Sequence, residues 1–417
     1  MVKRYSNNSV FLAALICILV FYSGLIKLKD RNSYFSLIPD SQVDFLSGQL
    51  LSSPAKTSNG KYYSGKFKVW TSGADNFRSS ACGNILVYIP CEIVEAYYPG
   101  KLYSKAQGGA LFEAGGIYSL KGYFSNKNQS FYVEHCLSLS FPKTFYGKLD
   151  YIRALCRLQF KRLMYSWGEG GGLLLALLCA TKEYTSSEVS LSFKNAGLSH
   201  ILALSGMHLS MFSGIAMFAG KKIGRKKLSF IIRIIALVLF VWFAGFSPSL
   251  LRAFICSLLM IIAALANVKK PDMLLILAFS FLCQTIISPA DIYNVGFILS
   301  YTALAGILLT NKFFTGIYNR FLPRYFSNSL GSSTGAQIFT APISLSLFGS
   351  FAPIGIIATS IVSPLVTIFI YSGLTFIILS LIFPPLSIPS AFIINLEYTV
   401  IKFFTGLFSK AFIWRIN

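Results

Sequence analysis

From residue 325 to residue 396 the chain carries no Asp, Glu, Lys or Arg. A stretch that long, dominated by Ile, Phe, Leu and Ser, has no charged face to turn toward water and belongs in a bilayer. There every backbone N–H and C=O must be satisfied inside the segment, which favours helices. Its Gly, Pro and Ser residues predict short or broken helices of the kind found at transport sites. Composition agrees over the whole chain: 54% of the residues are hydrophobic and 12% charged, against about 25% charged in typical soluble domains. The expected fold class is an α-helical multi-pass membrane protein with about nine to eleven membrane segments and an inserted small all-β domain.

Loop charge orients the helices. Residues 1–30 open with Lys3 and Arg4, then run uncharged from Tyr5 to Ile26; with no small-residue cleavage site they read as a cytoplasmic amino end and an uncleaved first helix. Residues 199–220 run inward to the basic segment 221–227. Residues 228–246 return, 249–267 go in to Lys269 and Lys270, 273–288 go out to Asp291, and 294–310 go in toward Lys312, Arg320 and Arg324. Five successive helices satisfy the positive-inside rule. Three or four further segments are expected between 337 and 410, with Lys410 and Arg415 at a cytoplasmic carboxyl end. The formal net charge of +22 partly reflects this bias and suits anionic partners, lipid or nucleic acid.

Residues 31–146 have the composition of a soluble domain, with short alternating runs punctuated by Gly, Ser and Asn that read as strands. The first helix places them outside the membrane. Lys66, Lys68 and Trp70 are candidate nucleic-acid contacts, beside Lys61, Arg78, Lys101, Lys105 and Tyr103, because aromatic rings and cations together suit single strands. A solvated Lys face over an aromatic core is the competing reading. Cys82, Cys91 and Cys136 share this oxidising compartment, and one disulfide is expected, Cys82–Cys91 or else Cys91–Cys136. Residues 147–170 read as a basic amphipathic helix, on a membrane surface or on the β domain, followed by a glycine hinge at 168–172. The segment 173–181 is too short to span. Residues 171–417 form the membrane domain.

One segment concentrates polar chemistry inside an apolar run: Phe193-Lys-Asn-Ala-Gly-Leu-Ser-His-Ile-Leu-Ala-Leu-Ser-Gly-Met-His-Leu209. It holds His200 and His208, two of the chain's three histidines, together with Ser205 and Gly206. Such groups at membrane depth need a protein or water-filled surrounding. On an unbroken helix the two histidines would lie about 80° apart around the axis and about 12 Å along it, poor geometry for one metal. Packing, pore-lining and helix-break roles stay open.

This segment resembles the signature of the ComEC family of competence DNA-uptake channels. Ser247-Pro-Ser-Leu-Leu-Arg-Ala253, Asn294-Val-Gly-Phe-Ile-Leu-Ser-Tyr301 and, more weakly, Ala336-Gln-Ile-Phe-Thr-Ala-Pro342 resemble the same family in the same order. The resemblance implies an OB-like outer domain and a channel that passes single-stranded DNA across the inner membrane into the cytoplasm. It implies an outer DNA receptor and a cytoplasmic ATPase as partners, besides lipid and a possible second copy of the chain; a separate nuclease is one alternative, beside truncation and lineage, for the domain this chain lacks. A metallo-β-lactamase-like nuclease domain is expected to be absent, because no H-x-H-x-D-H cluster is present. Two departures touch single residues: Cys179-Ala-Thr-Lys182 where Gly-Asp is frequent, and Ile298 where Gln is frequent.

No nucleophile–base pair, carboxylate dyad or metal set is legible, so no enzyme activity, cofactor or metal is expected. No G-x-x-x-x-G-K-[ST] loop supplies energy. The candidate DNA path comprises His200, Ser205, Gly206, His208, Ser249, Arg252, Ser300 and Gln337. A transporter of another anion and a membrane hydrolase using His200 and His208 are the alternatives.

Overall fold

The computed structural model describes residues 9–23, 34–57, 59–75, 77–96, 111–125, 130–181, 183–222 and 226–415. Lys3, Arg4, Lys101, Tyr103, Lys105, Lys182 and the side chains of the basic run 221–227 lie outside the described residues. The chain divides into two compact units. One is Lys29–Leu175 with Thr181–Tyr184; the other is Met1–Leu28, Ala176–Ala180 and Thr185–Asn417. Helix α1 (Ser9–Tyr22) belongs to the second.

The first unit is built on strands β1 (Phe35–Ser36), β2 (Phe45–Leu50), β3 (Ala55–Lys56), β4 (Tyr62–Ala74), β5 (Phe77–Cys82), β6 (Asn84–Pro90), β7 (Ile117–Phe124) and β8 (Ser130–Ser140), with a short helix α2 (Cys91–Glu95) after β6. Five of them close on themselves: β2 pairs β4, β4 pairs β6, β6 pairs β8, β8 pairs β7 and β7 returns to β2. Only β6–β8 is parallel. The closure depends on the length of β4, whose first half pairs β6 and second half β2 and β5. Two-residue alternation along β4 sends Tyr63, Phe67 and Val69 inside and leaves Lys66, Lys68 and Trp70 outside. With Leu46, Leu50, Val87, Ile89, Tyr118, Leu120 and Phe131 they fill the barrel. Gly122 sits at a register shift where a Cβ would run into the Tyr132 carbonyl, so the strand can bend there only as glycine.

Three expectations for this unit are corrected. Helix α3 (Phe145–Ser166) forms, capped by Thr144, whose Oγ1 accepts from the Gly147 N–H at 3.2 Å. Ala154 and Leu158 join the barrel core, but the expected charged face is split: Arg157, Lys161 and Arg162 are buried, while Ile152 and Cys156 are exposed. The cause is a pair of carboxylates remote in sequence. Arg157 Nε lies 3.1 Å from Glu113 Oε2, and Lys161 Nζ lies 3.3 Å from both Glu113 Oε1 and Glu183 Oε1. Ser53 Oγ donates to Glu113 at 2.5 Å. Burial alone would raise the pKa of Glu113; the Arg157 and Lys161 charges overcome it and hold the carboxyl at about 2.

The glycine run is not a hinge. Residues 168–179 form helix α4 (Gly168–Cys179). Gly171 lies against the Met164 carbonyl and Gly172 against that of Tyr184, with no room for a Cβ at either. Leu173, Leu174, Leu175, Ala176 and Leu177 are wholly buried.

The third correction concerns the cysteines. Cys82, Cys91 and Cys136 are all free thiols. Cys82 ends β5 and Cys91 follows β6, so the extended β6 separates them by about 20 Å; a disulfide needs Cα atoms within about 7 Å. A separation of nine positions suggested neighbouring strands, but all but one of the residues between them belong to the single strand β6. Cys91 Sγ instead donates to the Gly60 carbonyl at 3.0 Å, and Cys136 Sγ lies 3.6 Å from the Ser138 carbonyl. Burial pushes the Cys136 thiol up to about 11.

The second unit is helical. After α5 (Ser187–Asn195) and the single turn α6 (Ser199–Leu202) come α7 (Gly206–Lys222), α8 (Lys226–Ala244), α9 (Pro248–Leu265), α10 (Met273–Ile287), α11 (Val295–Tyr318) and α12 (Arg324–Phe348). A short strand β9 (Ser350–Phe351) precedes α13 (Gly355–Ile382) and α14 (Ser387–Ser409), and pairs with β10 (Trp414–Arg415). Among the described residues four helical stretches are long and apolar enough to cross a membrane: Pro248–Leu265, Val295–Tyr318, Gly355–Ile382 and Pro384–Ser409. Shorter apolar helices include Ser9–Tyr22, Gly206–Phe218, Leu228–Ala244 and Met273–Ile287. Helices α11 and α12 pack through small residues. Gly306 lies against the Gly335 carbonyl, and Gly331 and Gly335 meet Thr315 and Thr310, the close approach that small residues allow between membrane helices. Gly349 ends α12 in the left-handed conformation at φ 62°.

Candidate functional site

The segment 193–209, expected to hold one helix from 199 to 220, is instead a sequence of stops and starts. Helix α5 closes with two bonds past its end. The Leu198 N–H reaches the Phe193 carbonyl at 2.8 Å and the Gly197 N–H reaches Lys194 at 3.1 Å. Gly197 carries φ +73°, the left-handed residue such a closure requires. One turn, α6, follows; then Ala203 is extended. Ser205 restarts the helix. Its Oγ accepts from the Met207 N–H at 3.3 Å, while His208 Nδ1 accepts from the Ser205 N–H at 3.3 Å. These reciprocal bonds make a capping box with His in the place usually held by Glu or Gln. His208 is 0% exposed and its Nε2 has no hydrogen-bond partner among the described residues, whereas His200 on α6 is exposed. The break puts the two histidines on different helices. Among the described residues no group of three His, Cys, Asp or Glu side chains converges.

Helix α9 starts as expected, with Ser247 Oγ accepting from the Leu250 N–H at 3.3 Å and Pro248 in the first turn. Arg252 then reaches across to α11, where its Nη1 donates to the Ser300 carbonyl. Its guanidinium lies 6.0 Å from the Tyr301 ring centre and its Nη2 is 3.4 Å from where a Cβ would stand on Gly206. Ser249 Oγ donates to the Gly296 carbonyl at 3.1 Å. Ser205, Gly206, His208, Ser249, Arg252 and Ser300 therefore gather where α7, α9 and α11 meet. Among the described residues no carboxylate contacts Arg252, and its buried Nε has no hydrogen-bond partner.

Gln337 stands apart, on α12 beside Gly355 and Gly197 at a close backbone approach, its Oε1 buried and without a hydrogen-bond partner among the described residues. A neighbouring polar cluster escaped the sequence reading. Tyr301 OH donates to Gln284 Oε1 at 3.1 Å and lies 3.4 Å from Ser280 Oγ. Gln284 Nε2 donates to the Pro248 carbonyl at 3.0 Å and to Asp291 at 3.2 Å. An amide, Gln284, in the charge-free helix α10 was the available signal, since such a group at membrane depth needs a polar partner.

On the barrel, Lys66, Lys68 and Trp70 line the outer face of β4, and Trp70 is 39% exposed.

A model of the family described as "Competence protein" matches residues 177–415. Over 208 residues, 48% of this chain, the sequence is 26% identical to "ComE operon protein 3" of Bacillus subtilis (strain 168), of which the alignment covers 25%. It is also 26% identical over 241 residues, 57% of this chain, to an "Uncharacterized protein" of Aquifex aeolicus (strain VF5), of which 54% is covered. The matches thus span at most about half of these relatives. No solved structure matches the chain. The family match covers more than half of the chain and contains every segment that meets at Arg252; the chain belongs to the ComEC family of competence proteins.

Proposed function

We propose that this protein is a DNA-uptake channel of natural transformation, passing single-stranded DNA through the inner membrane into the cytoplasm. The observation that carries this reading is Arg252. Inside a competence-family helical unit it ends on a neutral carbonyl with no carboxylate in contact among the described residues. Placing a cation in a low-dielectric surrounding without a counter-ion is costly, and a passing phosphate supplies the missing charge with bidentate hydrogen bonds. Ser205, Gly206, His208, Ser249 and Ser300 line the same path, and Gln337 and His200 lie farther along it.

The barrel is read as OB-like. In chain order β2, β4, β6, β7 and β8 close as one-two-three-five-four, with the third and fifth strands parallel, and that order supports the assignment. It stands outside the membrane, with Lys66, Lys68 and Trp70 on a face open to DNA. The short apolar helices join the four long ones in a bundle of about nine to eleven segments. Energy comes from a cytoplasmic ATPase, DNA from an outer receptor, and strand removal from a separate nuclease; a second copy of the chain completes the pore if one is needed. No catalytic step is assigned.

Uptake of labelled DNA by a deletion strain, with and without this chain, tests the function. Restored uptake is expected; unchanged uptake with transport of a smaller anion would replace it. Impermeant thiol reagents should reach a cysteine placed at Ser125 from outside and not one placed at Arg320. The reverse pattern would invert the topology.

A further inference from the structure

The barrel carries a second aromatic feature away from Trp70. Tyr123 on β7, Tyr132 on β8 and Tyr88 on β6 are direct cross-strand neighbours. Their rings stack: Tyr123 and Tyr132 have centroids 5.7 Å apart and planes 12° from parallel, Tyr132 and Tyr88 4.9 Å and 18°. Tyr62 on β4 packs edge-on beside the row, 5.4 Å from Tyr132 and 6.4 Å from Tyr88. These rings are on the outside of the barrel; Tyr63, Phe67, Tyr118 and Phe131 fill the inside. The row is therefore not core.

Tyr123 is the exposed ring of the row, while Tyr132 and Tyr88 are half-buried. Tyr123 is 51% exposed, and its one ring contact among the described residues is with Tyr132. Within the row the rings are too close to admit a base, and Tyr123 is the most exposed of the three, so the surface offered to a base is the outer face of Tyr123. Lys121, on the same face of β7 two residues earlier, is exposed, and Lys66 and Lys68 continue along β4. The acidic neighbour is Glu134, exposed at the β8 irregularity opposite Lys121 and Gly122.

We propose that the Tyr123–Tyr132–Tyr88 row is a docking platform for single-stranded DNA, with one base stacked on the open face of Tyr123 and its phosphate held by Lys121. The inference rests on the uptake reading and moves the principal outer contact from Trp70 to the tyrosine row. A flat ring face accepts any base, and adjacent lysines attract phosphate without reading sequence. This suits a channel that must admit arbitrary DNA.

The test uses the full chain in lipid nanodiscs with a single-stranded oligonucleotide carrying iodouracil. Irradiation should cross-link it to Tyr123, identified by peptide mapping. Tyr123→Ser should weaken binding about tenfold, the scale of one lost base–aromatic stack, with thermal unfolding unchanged because the ring is half exposed. Tyr123→Phe keeps the stacking surface and should bind as wild type. Lys121→Ala should reduce the salt dependence of binding. Wild-type affinity in Tyr123→Ser, with no cross-link there while the chain still restores uptake, overturns the platform and leaves the channel standing. A wild-type chain that neither binds DNA nor restores uptake sinks both. Loss of retention on purified peptidoglycan by Tyr123→Ser, with DNA affinity intact, overturns the platform in favour of a glycan surface.

Discussion

In the barrel unit Arg157 and Lys161 meet Glu113 and Glu183 at 3.1–3.3 Å, all four nearly inaccessible. In the helical unit Arg252 ends on the Ser300 carbonyl and Arg233 on the Ser213 hydroxyl, with no carboxylate contact among the described residues. Both arrangements take cations from water, and desolvation penalises both. Only the first repays that penalty internally. A neutralised cluster has no charge to offer a ligand, so its role is to fasten α3 to the loop that carries Glu113 and to the Thr181–Tyr184 segment. A cation left without an acid retains its field for whatever anion arrives. Charge pairing thus distinguishes the buried cluster at Glu113 from the cations at Arg252 and Arg233.

The largest expected effect breaks the first half of this contrast. Glu113→Gln leaves Arg157 and Lys161 short of a buried counter-charge and should destabilise the barrel unit by about 3–5 kcal/mol, seen as protease sensitivity of that unit. Wild-type resistance would show the cluster to be dispensable. The same carboxyl predicts acid behaviour. Its folded pKa of about 2 lies below the ordinary value, so its contribution is complete above about pH 5 and is lost as pH falls toward 2. Acid titration should therefore loosen the wild-type barrel over that window, and Glu113→Gln should flatten the dependence.

Arg252→Ala addresses the other half. Uptake should fall about ten- to a hundredfold, the range for a charge-assisted hydrogen bond of about 1.5–3 kcal/mol, while the protein still accumulates in the membrane. Arg252→Lys should rescue only in part, because an ammonium cannot match the guanidinium fork. Full uptake in the Ala variant removes Arg252 from the path, and failure to accumulate makes it structural.

A smaller effect sharpens the role of His208. If it acts as the capping partner of Ser205, His208→Ala should cost about 1 kcal/mol of stability. His208→Gln, which restores the usual capping-box partner, should keep both stability and uptake. Loss of uptake in a stable Gln variant would assign the imidazole to the path itself. The smallest effect concerns the thiols. Cys82→Ser should leave barrel stability within about 0.5 kcal/mol of wild type, whereas a bridge would be worth about 2–3 kcal/mol. Non-reducing peptide mapping that found Cys82 joined to Cys91 would contradict the strand geometry.

The helical character of the second unit was legible in residues 325–396 alone, because a stretch without charge has few places to fold; the short or broken helices expected there are instead long, with Pro342 inside α12 and Pro364 inside α13. The alternation of β4 was legible for the same kind of reason: a two-residue period sorts Phe67 from Lys68 without reference to the rest of the chain. Ser247-Pro248 announced the start of α9 through purely local chemistry. The convergence of Ser205, Arg252 and Ser300 came from resemblance to a family and was beyond what spacing alone says. What failed were readings in which a distant residue decides. The faces of α3 depend on Glu113 and Glu183, which no periodicity within 147–170 contains. The glycines at 168–172 looked flexible until Met164 and Tyr184 filled the space beside them. Cys82 and Cys91 are close in sequence, and an extended strand keeps them apart. The break at Ala203 was written locally, in Ser205 and His208, yet the surrounding apolar run concealed it. Sequence determined which segments leave water, since that depends on composition over a window. Tertiary structure alone decided which charges are neutralised, since that depends on partners brought together from remote parts of the chain.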